Sequence, residues 1–169
     1  KDSTNIKKIR IKTKDNTIQK TAKNVILATG ARSKNLPFVS SDGVNIWDYK
    51  TAMTPPKLPS SLIIVGSGAI GMEFASFYND LGVDVTIVEA LPSILPNEDT
   101  DISKIVKLSF EKRGIKIKTS SALKSVTTKE NSVSAEIITN EKVETINSEK
   151  LVLAIGIIAN TEKLGLKEF

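Results

Sequence analysis

The sequence predicts an α/β fold: a parallel β-α-β-α-β sheet, followed by an antiparallel β-meander and preceded by a short hairpin. Three observations predict this. Ser61–Val65, SLIIV, is a continuous apolar run of the kind found in strands covered on both faces. Two helical periods, each closed by a glycine, alternate with two further strand-like runs, the order that gives a parallel sheet with right-handed crossovers. After Thr119 the pattern turns to short alternating runs split by polar turn signals.

The bulk properties fit one ordinary globular domain. The chain has 169 residues, 40% hydrophobic and 25% charged. No apolar run approaches the roughly 18 residues that cross a bilayer, and the polar, basic start KDSTNIKKIRIKTKD is no secretory signal. We therefore expect neither a membrane protein nor a secreted one. Cys and His are both absent, which excludes disulfides, thiolate metal sites, cysteine nucleophiles and Ser–His–Asp hydrolysis. No metal site is expected. The net charge is +5, but residues 1–34 hold 10 Lys/Arg against 2 Asp/Glu, and residues 35–169 hold 14 against 17. The basic flank has no Phe, Tyr or Trp to stack bases, so it reads as a solvated, Lys-rich strand edge and not as a nucleic-acid footprint. The chain lacks an initial Met and stops within a pattern at LGLKEF, and we expect it to be part of a longer protein.

In chain order, IKKIRIKT (6–13) reads as a strand, Asp15-Asn16 as a turn, and Thr17–Gln19 as the start of a return strand. Asn24–Ala28, NVILA, is an apolar run ending at Thr29-Gly30. Residues 31–60 read as loop, with a short helix around Trp47–Met53. After the strand Ser61–Val65, Ile70, Phe74, Phe77, Tyr78 and Leu81 recur on one helical face, and Gly82 is placed to end that helix. Val83–Val88 is the second strand. Glu98–Arg113 is the second helix, expected to bury Ile102, Ile105, Val106 and Phe110, with acidic residues at its start and basic ones at its end. Ile115–Lys118 is the third strand. Leu123–Thr127, Val133–Thr139 and Val143–Ile146 form the meander, with turns at Glu130-Asn131 and Asn140-Glu141, and Leu151–Ala154 is the last strand. NVILATGA (24–31) and KLVLAIGI (150–157) echo each other, each a hairpin followed by an apolar strand that ends in Ala-x-Gly.

One motif carries chemistry. Gly66, Gly68 and Gly71 form GxGxxG between the first strand and the first helix, and Glu89 ends the next strand 23 residues beyond Gly66. That context makes the fold Rossmann-like and the ligand a dinucleotide. Gly66 permits the tight turn, Gly68 lets a pyrophosphate approach the backbone, and Gly71 lets the helix pack close to the sheet. The helix start offers free N–H groups and a partial positive charge to phosphates. Glu89 can accept from ribose hydroxyls and would repel a 2′-phosphate. No Arg or Lys follows it before Lys104, so NAD is expected over NADP. Glu73, in the first turn of the same helix and placed on the side away from Phe74 and Phe77, either complements the helix dipole or makes a polar contact.

GSGAIGMEFASFYNDLGVDVTIVE (66–89), VILATGA (25–31), ILPNEDTDI (94–102) and LVLAIGIIANTEKLGL (151–166) together resemble the pyridine-nucleotide–disulfide oxidoreductases, and within them the enzymes that oxidise dihydrolipoamide. The resemblance implies an NAD-binding domain at 35–156, the C-terminal flank of a first FAD-domain segment at 1–34, and the return to that domain at 157–169. It implies a reaction that passes electrons from dihydrolipoamide through a cysteine pair and FAD to NAD. The cysteine pair and FAD belong to the full-length protein only, so this chain by itself is expected to be inactive. It further implies partners: the FAD and dimerisation domains of the same protein, and a homodimer within a 2-oxo acid dehydrogenase complex. By the same resemblance Gly66, Gly68, Ile70 and Gly71 would hold the pyrophosphate, Glu89 the adenosine ribose and Leu123 the adenine. Gly156 would lie near the nicotinamide, and Glu73 would bind the carboxamide and face a flavin-domain lysine. Many members have an Arg after the glycine matching Gly156, where this chain has Ile157 and Ile158. The NAD domain of another flavin-linked NADH oxidoreductase, and a stand-alone, non-catalytic NAD-binding module, are the alternative readings.

Overall fold

Element boundaries follow the punctuation of the sequence through residues 6–166, which the computed structural model describes. Lys7–Lys12 (β1) and Thr17–Ala22 (β2) pair antiparallel about Asp15-Asn16, where the Asn16 side chain accepts from the Thr17 N–H at 2.7 Å. Ala31–Ser33 (β3) and Ile46–Trp47 (β4) precede Tyr49–Met53 (α1), whose first N–H groups donate to Asp48. The alternating unit is Ser61–Val65 (β5), Ala69–Asp80 (α2), Asp84–Val88 (β6), Thr100–Lys112 (α3) and Lys116–Lys118 (β7). Ser121–Lys129 (β8), Ser132–Thr139 (β9) and Lys142–Ser148 (β10) are the meander. Lys150–Leu153 (β11) and Ile157–Ala159 (β12) close the order. The β9–β10 turn places Asn140 and Glu141 at positive φ, 48° and 66°, the mirror-image turn that suits hairpin twist.

Two compact units result. The described part of one, residues 6–30 and 159–166, holds the β1–β2 hairpin; the other is residues 31–158. In the latter, five parallel strands lie in the order β4-β11-β5-β6-β7. Chain order reverses between β5 and β11, and open parallel sheets bind ligands at the strand ends beside such a reversal. Successive strand residues point to opposite faces. Leu62 and Ile64 therefore enter a core with Trp47, Ala75, Tyr78, Val85 and Ile87 on the helix side. Ile63 and Val65 enter a second core with Val88, Leu123, Val133, Ala135, Ile137 and Leu153 on the meander side. Each such fully buried aliphatic side chain is worth about 1.5–3 kcal/mol.

Several expectations need correction. Asn24–Ala28 is not a strand, and Val25, Ile26 and Leu27 are exposed, Ile26 at 90%. An apolar triplet becomes a strand only where neighbours take its backbone hydrogen bonds. Leu151–Leu153 has β5 and β4 on either side; among the described residues nothing pairs with 24–28. The echo between the two segments thus holds in sequence and not in structure. The stretch 31–60 is not all loop, since it carries β3 and β4, and Trp47 belongs to β4 and not to the short helix.

Helix faces are also only partly as expected: Phe74, Tyr78, Val106 and Phe110 pack on the core, and the other expected residues do not. The buried residues of α2 are Gly71, Met72, Ala75 and Tyr78, while Phe77 and Leu81 are exposed. Small Gly71 and Ala75 let the helix approach the sheet, and Met72 and Tyr78 enter the core beside them. Tyr78 donates to the Ala52 carbonyl at 2.7 Å, and burial pushes its hydroxyl pKa up to about 12. On α3 the inward side chains are Ser103, Val106 and Phe110, and Ile102 and Ile105 are exposed. Ser103 docks by donating to the Leu95 carbonyl, which fixes that face inward.

Candidate functional site

The site grows from the turn between β5 and α2. Gly66 leaves β5 at φ +99°, a conformation that L side chains rarely adopt, and a Cβ there would meet the Ala154 carbonyl oxygen at 2.5 Å. A Cβ on Gly71 would fall on the carbonyl of Gly66. Both glycines are thus demanded by the protein's own packing. Gly68 differs. Its φ is an ordinary −67°, and a Cβ would have nothing within 4 Å. Neither conformation nor packing requires glycine at that position, whereas a ligand lying on the backbone would.

Gly68 is also the N-cap of α2, and no side chain caps that helix. The other two helices are each closed at the start by an aspartate, Asp48 for α1 and Asp99 for α3. The first N–H groups of α2 therefore face a groove of about 550 Å³. Its walls include Gly66, Gly68, Ile70, Glu89, Leu123 and Gly156. These donors, and the partial positive charge of the helix start, suit a phosphate-bearing ligand.

Glu89 sits at the end of β6, only 7% exposed. Its Oε2 accepts from the Ser67 N–H at 2.8 Å and from the Ser67 hydroxyl at 2.6 Å. Its Oε1 accepts from the Leu91 N–H at 2.8 Å. Three donors compensate a carboxylate that burial would otherwise disfavour. The backbone frame is equally fixed: Gly66 N–H donates to the Val88 carbonyl, Leu95 N–H to that of Ser67, and Ser121 N–H to that of Glu89. The 89–99 loop is folded onto the glycine turn, and the start of the meander meets the same strand end.

Of the residues singled out from sequence, six therefore share one groove. Gly71 stands behind it as a packing contact. Glu73 does not line it: it is exposed in an adjoining groove of about 360 Å³ with Tyr49, Met53, Ile70, Phe74 and Phe77. Its expected placement away from Phe74 and Phe77 is corrected, because residues 73 and 77 are four apart and so neighbours on a helix. Ile70 lines both grooves. Sequence reasoning missed Ser67, Leu91 and Asn97 as wall residues. Ser67 occupies a variable position of the glycine motif, and only the folded turn brings its hydroxyl to Glu89.

Comparison with known proteins shows the family. The profile of the pyridine nucleotide-disulphide oxidoreductase family matches residues 2–168. The dihydrolipoyl dehydrogenase of Zymomonas mobilis is 50% identical over 146 residues, 86% of this chain and 31% of that protein. The one from Rhizobium etli is 48% identical over 148 residues, 87% of this chain and 31% of that protein. Among solved structures, LpdA from Mycobacterium tuberculosis superposes with a TM-score of 0.83 at 33% identity, covering 98% of this chain and 36% of that one. The chain thus spans about a third of the length of these relatives. It belongs to the pyridine nucleotide-disulphide oxidoreductase family.

Proposed function

We propose that the chain is the NAD(H)-binding part of a flavin-dependent dihydrolipoyl dehydrogenase. Residues 35–156 are the NAD domain, and 1–34 and 157–169 are flanks of a flavin domain. The carrying observation is Gly68, a glycine that neither packing nor backbone conformation demands, at the start of α2 where no side chain caps the helix. The relatives' shared name supports the wider activity. The thiol pair that oxidises dihydrolipoamide, and the residues that hold FAD, are assigned to the longer protein.

NAD, when bound, supplies the ring that takes or gives a hydride. The chain's own residues bind and orient it. The backbone N–H groups from Gly68 into α2 bind the pyrophosphate, with Gly66 and Gly71 fixing the turn. Ile70 shields that contact from water. Glu89 accepts from the adenosine ribose, and its buried charge rejects a 2′-phosphate. Leu123 packs on the adenine, and Gly156 lies toward the nicotinamide. Glu73, set in the adjoining groove past Ile70, orients the carboxamide end.

Titration calorimetry with both cofactors tests this reading. NAD(H) should bind at least about tenfold tighter than NADP(H), a difference of about 1.4 kcal/mol. Equal affinities would overturn the assignment of Glu89.

A further inference from the structure

We infer that the outward face of α3 is a pairing surface for α3 of a second copy of this chain, the two helices running antiparallel. The core uses one side of α3, through Ser103, Val106 and Phe110. On the side turned away from it, Ile105 is 64% and Leu108 59% exposed, and Ile102 beside them is 52% exposed. One exposed aliphatic side chain is ordinary. Three on successive turns of one helix face make a patch that marks a contact.

The charges around the patch say what covers it. Asp101, Ile105, Leu108 and Lys112 stand at i, i+4, i+7 and i+11, the spacing of a seam between paired helices. Read from either end, that seam is its own complement: acid, aliphatic, aliphatic, base. Turned antiparallel on a second copy, Ile105 meets Leu108 and Asp101 meets Lys112, each contact made twice about the two-fold axis. A parallel arrangement would set Asp101 against Asp101 and Lys112 against Lys112. Both charged residues are exposed. Asp101 holds Lys104 at 3.0 Å, an exposed ion pair that contributes little and can be exchanged. A convex helix ridge also suits another helix and not a small molecule, which needs a concave site. The pairing needs nothing from the dimerisation domain assigned to the longer protein.

Two experiments on the chain test this. In sedimentation equilibrium the apparent mass should rise with concentration from that of one chain toward that of two. A contact along 13 helical residues is smaller than a standard interface, so half the chains should be paired at on the order of 100 µM. Ile105→Glu puts a charge in the middle of the seam and should raise that concentration at least about tenfold. Its melting temperature in dilute solution should stay that of the wild type, because the side chain is outside the core. A chain that stays monomeric at about 1 mM, its α3 face left to another part of the longer protein, would overturn the inference. So would unchanged self-association in Ile105→Glu.

The second experiment reads direction and register, and keeps the aliphatic seam intact. The chain has no cysteine, so a disulfide can form only between introduced thiols. Asp101→Cys and Lys112→Cys are oxidised separately and as an equal mixture, at a concentration where the wild type pairs. Opposed positions fall within disulfide reach, whereas in the antiparallel pair each variant's own thiols lie about 16 Å apart along the axis. Disulfide-linked dimer should therefore form in the mixture and not in either variant alone. Dimer from each variant by itself would show a parallel or non-specific contact, and no dimer from the mixture would show a different register. Either result would overturn the inference.

Discussion

Gly68 and Gly71 are three residues apart and do opposite work, and substitution should separate them. Gly71→Ala drives a methyl group into the Gly66 carbonyl. Backbone must move to relieve it, so a loss of about 1–3 kcal/mol or more is expected in denaturant unfolding. Gly68→Ala meets nothing within 4 Å and keeps an ordinary φ, so stability should fall by no more than about 1 kcal/mol, the cost of alanine at an N-cap, while NAD affinity falls at least about tenfold. Unchanged affinity in Gly68→Ala would mean that the groove does not hold the ligand at that backbone. Away from the site, Asp42 makes a pH-dependent contribution. Partial burial raises its carboxyl pKa, but the N–H groups of Ile46, Val44 and Asn45, each donating at 2.8 Å, outweigh this and hold it below the usual range. The folded value lies below the unfolded one, so the stabilisation is present above about pH 4 and is lost as pH falls through the folded value. Asp42→Asn should flatten the acid limb of melting temperature against pH. Parallel curves for variant and wild type would contradict this. At this scale the glycine motif and Glu89 were legible in the sequence because turn, helix start and strand end recur at fixed spacing. Ser67 was not, because its partner stands 22 residues away and nothing in one dimension marks the pair.

Helices show what periodicity does and does not carry. Apolar spacing located both long helices, with ends within a few residues, since glycines at 82 and 114 stop them and Asp99 starts the second. It placed Phe74, Tyr78, Val106 and Phe110 against the core correctly and misassigned the rest of each face. On α2 the buried line joins small Gly71 and Ala75, which a hydrophobicity pattern underweights, to Met72 and Tyr78, and on α3 a serine is turned inward while Ile102, Ile105 and Leu108 stay exposed. The cap on α3 is testable by itself. Asp99 accepts from the N–H groups of Asp101 and Ile102, so Asp99→Ala should lower stability by about 1 kcal/mol in urea unfolding. A change below about 0.3 kcal/mol would show that the cap contributes nothing.

Across the molecule, the parallel sheet was legible because SLIIV, VDVTIV and LVLA are each bounded by turn signals and linked by helices or the meander. NVILA carries the same apolar signal, yet the sheet has no place for it among the described residues. Strand formation is a property of neighbours as much as of sequence. The β1–β2 hairpin is a two-stranded sheet with almost every side chain exposed, an arrangement of marginal stability. Amide hydrogen exchange should therefore be far faster through residues 7–22 than through β5, β6 and β11, and equal protection would contradict that ranking. The central claim, that the groove between the glycine turn and Glu89 holds NAD, is tested most directly by mapping amide chemical shifts as NAD is titrated into the chain. The account predicts saturable shifts at Gly66–Gly71, at Glu89–Leu91 and at Leu123, with the β9–β10 hairpin unmoved. Shifts confined to the lysine-rich hairpin of residues 7–22, or none at millimolar NAD, would contradict it.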